Sequence, residues 1–96
     1  FNAKDGYLYV ADYSNHRIQV IRSDGTFVRK FGLIGSGDGQ FQNPAGITFN
    51  AKDGYLYVAD KQNHRIQVVR SDGTFVRKFG SFGLRDGHFQ YPYGIA

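Results

Sequence analysis

Residues 1–48 and 49–96 are one sequence written twice. A shift of 48 places pairs Phe1 with Phe49, Asp12 with Asp60, Gly32 with Gly80 and Pro44 with Pro92, and eleven of the 48 pairs differ. A repeat of this length is a structural unit that stacks on copies of itself, so it constrains the architecture before any residue is read for chemistry. The repeats 1–48 and 49–96 are therefore the expected units. Their phase adds a second constraint. The chain ends Tyr93-Gly94-Ile95-Ala96 and begins Phe1-Asn2-Ala3-Lys4, while its middle runs Ala45-Gly46-Ile47-Thr48-Phe49-Asn50-Ala51-Lys52 without a break. The end is expected to finish where the start begins, with the cut inside a unit and a neighbour supplying the missing part.

Each repeat reads as four short strands. In the second copy they are Gly46–Phe49, Tyr55–Asp60, Arg65–Arg70 and Thr74–Phe79. Tyr, Val, Ile, Thr and Phe dominate them, as suits a pleated, half-buried surface. Asp53-Gly54 and Asp72-Gly73 sit between strands as hairpin signals. A longer segment, Gly80 to Tyr93, leads to the next unit. The second strand of each copy is apolar on both faces (Leu8 and Val10 on one, Tyr7, Tyr9 and Ala11 on the other) and reads as buried on both sides. The fourth carries Arg29 and Lys30 among Phe27, Val28 and Phe31, as an outer strand should, and its charges discourage edge pairing. No stretch carries a sustained helical period.

Composition agrees. Seven Tyr, nine Phe and 13 Gly suit an all-β repeat with tight turns. All eight acids are Asp, and six of them precede Gly (Asp5, Asp24, Asp38, Asp53, Asp72 and Asp86), a pairing that tolerates positive φ. The net charge of +4 allows a nucleic-acid partner without demanding one. No apolar run approaches the roughly 18 residues of a membrane span, so no membrane partner is expected. Without Cys there are no disulfides and no thiolate chemistry. The absence of an initial Met is expected of a processed or trimmed product.

Four antiparallel strands graded from buried to exposed describe one blade of a β-propeller. The expected fold is all-β, with two blades per chain. Each blade buries its faces against two neighbours, so two blades leave an apolar face open at each end. A head-to-tail contact repeats until the rotation closes a ring. Three chains would give six blades and four chains eight.

Leu8-Tyr9-Val10-Ala11-Asp12, Asn15-His16-Arg17-Ile18-Gln19-Val20, Asp24-Gly25-Thr26-Phe27, Lys30-Phe31-Gly32 and Gly39-Gln40-Phe41-Gln42-Asn43-Pro44-Ala45-Gly46-Ile47 recur in order. Together they resemble the NHL repeat, named for an Asn-His-Leu run whose third letter is Arg in both copies here. The resemblance covers all 96 residues. It implies four-stranded blades and rings that usually have six of them, which favours a homotrimer over an eight-bladed homotetramer. It also implies possible functions. Propellers of this family end tripartite-motif ubiquitin ligases, several of which bind single-stranded or stem-loop RNA on one face, and an enzyme that cleaves peptidyl-hydroxyglycine holds metal ions in its cavity. The near-identity of the copies resembles a design or excised fragment, or a recent duplication.

Nine of the eleven differences fall in two segments that should share one rim of the disc. They are Tyr13/Lys61 and Ser14/Gln62 in the loop after the second strand, and seven positions in the return segment, including Gln40/His88, Asn43/Tyr91 and Ala45/Tyr93. Loops carry function on a rigid scaffold. Tyr13, Lys61, Gln62, Asn43, Arg85, His88, Tyr91 and Tyr93 are therefore the candidate binding face. Cations interleaved with aromatics suit single-stranded nucleic acid, and Tyr91 and Tyr93 equally suit packing around Pro92.

Asp12, Asn15, His16 and Arg17, with Asp60, Asn63, His64 and Arg65, read as a structural motif that hydrogen-bonds locally and holds the loop. No His-x-His or Cys cluster points to a metal. Gly35-Ser36-Gly37-Asp38-Gly39 lacks the Lys-Ser/Thr and the helix of a phosphate loop. No triad or carboxylate pair emerges. The expected protein is a non-catalytic, self-assembling scaffold without cofactors, whose partner is itself, with RNA as the rival partner.

Overall fold

A computed structural model describes residues 2, 5–81 and 83. Its strands are β1 (Leu8–Asp12), β2 (Arg17–Ile21), β3 (Phe27–Phe31), β4 (Pro44–Asn50), β5 (Tyr55–Asp60), β6 (Arg65–Val69) and β7 (Phe75–Phe79). They form two antiparallel sheets, β1-β2-β3 and β4-β5-β6-β7, each in simple up-and-down order. β4 straddles the boundary between the copies, so the structural units are offset from the sequence repeat. It is also longer than the Gly46–Phe49 expected: Pro44 opens it opposite Asp60, ahead of a register shift at Gly46. A strand's first residue tolerates the missing proline N–H.

The Asp-Gly turns are built alike. Gly54 (φ +78) and Gly73 (φ +94) take the backbone through positive φ. The carboxylate just before each accepts the amide two residues on: Tyr55 N–H to Asp53 Oδ1 and Thr74 N–H to Asp72 Oδ1, both 2.9 Å. Asp5 and Asp24 do the same for Tyr7 and Thr26. Asp-Gly therefore carries two functions, one per residue. At Gly73 there is a third constraint, because a Cβ there would lie 2.6 Å from the Phe31 ring of the first sheet.

The core lies between the sheets. Tyr9, Ile18 and Val20 of the first meet Leu56, Val58 and Val69 of the second, and Phe41 from the β3–β4 segment is buried among them. Gly32 (φ +107) makes room for Phe41: a Cβ at position 32 would sit 2.7 Å from that ring. Pairing of Leu56 with Val69, Val58 with Gln67 and Asp60 with Arg65 places all six on one face of the second sheet, and all six are buried. The same face of the first sheet, with Leu8 opposite Ile21, Val10 opposite Gln19 and Asp12 opposite Arg17, is open. Leu8 and Val10 are 37% and 43% exposed, against 1% and 0% for Leu56 and Val58. Burial on both faces thus holds fully for neither strand: β5 buries Leu56, Val58 and Asp60 on one face and leaves Tyr55 and Tyr57 half-buried on the other, while β1 leaves Leu8 and Val10 exposed.

Candidate functional site

The loop after β1 and the loop after β5 are each a single 3-10 turn, Tyr13–Asn15 and Lys61–Asn63, which carried no periodic signal. It closes on a histidine in the left-handed region, His16 at φ 55 and His64 at φ 53. The N–H of each histidine donates to a carbonyl three residues back, that of Tyr13 and of Lys61. The preceding aspartate gathers the motif. Asp12 accepts from Asn15 Nδ2 (3.2 Å), Arg17 Nε (2.8 Å) and Gln19 Nε2 (3.0 Å). Asp60 accepts from Asn63 Nδ2 (2.9 Å), Arg65 Nε (2.8 Å) and Gln67 Nε2 (3.3 Å).

The two copies then part. The Asp60–Arg65 side chains are 0% and 7% exposed, and Asp12–Arg17 are 22% and 30%. Burial of the second pair is matched by bonds to the β3–β4 loop. Arg65 Nη1 donates to Ser36 O (2.8 Å), and Nη2 donates to Gly37 O and Gln40 O (2.9 Å each). Asn63 Nδ2 donates to Gly35 O (2.8 Å), Gly39 N–H to Gln67 Oε1 (2.9 Å) and Gln42 N–H to Asp60 Oδ1 (2.7 Å). Lys78 Nζ reaches Asp38 Oδ1 at 2.8 Å. A buried charge pair is tolerable when its remaining donors and acceptors are satisfied, as here. In the open copy, the Arg17 guanidinium, with Asn15 and Gln19, holds the Asp12 carboxyl below the usual carboxylate range.

On the opposite rim, Arg29 joins the sheets. Its Nη2 donates to Ser71 O and to Tyr9 Oη, both 2.9 Å. Burial, reinforced by a hydrogen bond to Asp5, raises the Tyr9 hydroxyl above its ordinary value. Arg77 repeats the bond to a tyrosine, Tyr57 Oη at 3.0 Å, and lies on the outer face of the second sheet.

Of the candidate binding face, Tyr13, Lys61, Gln62 and Asn43 converge. The Lys61 ammonium stands 5.5 Å from the Tyr13 ring centroid. Asn43, at φ 56, donates from Nδ2 to Tyr13 O (3.2 Å) and from its backbone N–H to His16 Nδ1 (3.0 Å). Gln62 N–H donates to Gln42 O at 3.0 Å. Arg85, His88, Tyr91 and Tyr93 lie outside the described residues. Among the described residues no three His, Asp or Glu side chains gather as a metal site. What sequence reasoning missed is the Gln19/Gln67 and Lys30/Lys78 pairs. Their signal is spacing: two residues beyond the motif arginine and one residue inside the last strand's end.

These are stacked antiparallel sheets with an apolar core between them, each carrying an Asp-x-x-Asn-His-Arg motif, of which the second copy grips the segment joining the sheets. The NHL repeat family model matches residues 1–21 and 41–69, more than half of the chain, and the chain belongs to the NHL repeat family. It is similar to the RING finger protein nhl-1 of Caenorhabditis elegans, 48% identical over 42 residues, which are 44% of this chain and 4% of that protein. Its fold is similar to the crystal structure of a Bacteroides fragilis protein described as exported. The TM-score is 0.65 at 22% identity, covering 76% of this chain and 21% of that one. The chain thus spans a small part of the length of either relative.

Proposed function

We propose that this chain is a non-catalytic β-propeller scaffold that assembles with itself, three copies closing a six-bladed ring. One observation carries the reading: the face that is buried between the sheets in the second copy is open in the first, with the same residues on it except for Ile21 where the second copy has Val69. Leu8, Val10, Gln19 and Ile21 face outward where Leu56, Val58, Gln67 and Val69 are buried. The opposite face supports it. Arg29 clasps Ser71 O across the sheets, while Arg77, 48 places on, stands half exposed. In a ring it would reach Ser23 O of the next copy. Light scattering on the 96-residue chain tests the proposal. A particle of three 10.8 kDa chains is expected. Four chains would replace the six-bladed ring by an eight-bladed one, and a monomer would overturn self-assembly.

The rim supports a second reading, binding of single-stranded nucleic acid, on the observation that Lys61 and Tyr13 come together there with Asn43. Filter binding of RNA at two salt concentrations tests it: phosphate contacts make affinity fall steeply with salt, and no retention at low salt removes it.

A further inference from the structure

One blade of this chain already holds a loop in a polar groove. The loop is residues 35–41, Gly-Ser-Gly-Asp-Gly-Gln-Phe, and the groove is Asp60, Asn63, Arg65, Gln67 and Lys78. The groove reads the loop almost entirely through its backbone. The carbonyls of residues 35, 36, 37 and 40 accept, and the amides of residues 39 and 42 donate. Among the described residues, Asp38 alone contributes a polar side chain across the contact, to Lys78. Phe41 supplies the apolar anchor and is fully buried.

The same groove exists a second time. Asp12, Asn15, Arg17, Gln19 and Lys30 occupy the equivalent positions 48 places earlier. Asn15, Arg17 and Lys30 line a cavity of about 520 Å³, edged by the exposed Leu33 and Ile34. Among the described residues, Arg17 meets Asp12 through Nε, and neither its terminal nitrogens nor the Lys30 ammonium meets an acceptor. We infer that this cavity is an acceptor site for a Gly-x-x-Asp-Gly-x-Phe loop, supplied by residues 83–89 of a second copy. The inference rests on the assembly proposed above, since it names the surface by which one copy receives the next.

The pattern of differences between the copies fits this use. Residues 83–89 read Gly-Leu-Arg-Asp-Gly-His-Phe, so they depart from 35–41 at Ser36/Leu84, Gly37/Arg85 and Gln40/His88. Those are three of the positions that the groove reads through main-chain carbonyls, which any residue offers. The Asp that meets the lysine and the Phe that fills the core stay the same, as do the glycine that opens the loop and the glycine after the Asp. Charge agrees as well: the first groove presents Arg17 and Lys30, and the loop brings a carboxylate and a row of carbonyl oxygens.

The test is a dilution series of the intact chain by light scattering, with four variants. Lys30→Asp and Asp86→Lys place like charges together and should each raise the half-dissociation concentration about tenfold, and Arg17→Ala at least as much. The double swap Lys30→Asp/Asp86→Lys should recover most of the loss, as coupled neighbours do in a double-mutant cycle. Lys30 is exposed, so its variant keeps the fold, checked by circular dichroism. Folded single variants that associate like the unaltered chain overturn the groove while the ring stands on another surface. A double variant no better than the singles overturns the Lys30–Asp86 pairing and with it the loop. If the unaltered chain is monomeric throughout, the ring falls and a labelled synthetic peptide of residues 80–91 decides the groove by fluorescence anisotropy. Binding abolished by Arg17→Ala upholds it, and no binding overturns it.

Discussion

Arg17 and Arg65 are the same residue in the same motif, and their surroundings give them different energetics. Arg65 is buried with Asp60 and has three loop carbonyls to hold. Removing it leaves a carboxylate buried without its charge partner, and Arg65→Ala should cost about 3–5 kcal/mol. The Asp12–Arg17 pair is part-exposed, and in a single chain Arg17→Ala should cost about 1 kcal/mol or less. Urea unfolding of both variants, at concentrations too low for association, checks the contrast. The open pair also makes a statement about pH. Asp12 has its carboxyl lowered in the fold by Arg17, Asn15 and Gln19, so its contribution is complete above the unfolded carboxylate value of about 3.9 and is lost as pH falls through the lower folded value. Asp12→Asn should therefore lower the neutral plateau of a melting-temperature profile and flatten its acid limb, leaving the most acidic end where it was. A profile unchanged on its acid side would remove this role.

The hairpin turns repeat the lesson at the next scale. Gly25 and Gly73 head identical turns at φ +93 and +94, yet a Cβ at Gly25 meets nothing within 4 Å, whereas one at Gly73 would strike Phe31. Gly25→Ala should cost about 1–2 kcal/mol for positive φ alone, and Gly73→Ala clearly more, because the Phe31 ring or the turn must shift. Equal losses in urea unfolding would mean that the sheets do not meet there. The turn carboxylates add to acid sensitivity. Asp24 and Asp72 are lowered by the hydrogen bonds of Thr26 and Thr74, and Asp53 by those of the Tyr57 hydroxyl and the Tyr55 amide. All three favour the fold above the carboxylate range and cease to do so below it. Much of this level was legible in the residues. Tyr55–Asp60 is a strand over its full expected length, and Arg65–Val69 falls one residue short of Arg65–Arg70, because the Arg70 amide already turns toward Thr74 O. The 3-10 turns were not legible, since three residues set no period and their stop signal is a left-handed histidine rather than a glycine. Nor could the residues tell Leu8 from Leu56. Their sequences are the same on both sides, and what differs is a neighbouring blade, which no local pattern encodes. The groove was half legible: the motif aspartate and arginine stood out, while their acceptors are backbone carbonyls, invisible to any reading of side chains.

For the whole chain, the question is whether two blades fold as two bodies or one. Among the described residues, neither sheet has a core of its own. Tyr9, Ile18 and Val20 on one side and Leu56, Val58 and Val69 on the other are buried by each other, and Phe41 joins them. Phe41 is also the residue around which Gly32 is left bare, so loop and core are set by the same ring. A small sheet with one apolar face uncovered is marginal in water. The blades should therefore unfold together, with Phe41 as their shared support. Phe41→Ala removes a fully buried aromatic and should cost about 3–5 kcal/mol. That loss should appear equally on both sides of the contact. Amide hydrogen exchange reads it directly: protection in β2 and in β6 should fall by the same amount, because both open through one transition. A fall confined to β1–β3, where the Phe41 loop begins, would mean that β4–β7 stands alone as a folding unit. The interface would then be a docking of two finished blades. An equal fall would make the blade-to-blade contact the core itself.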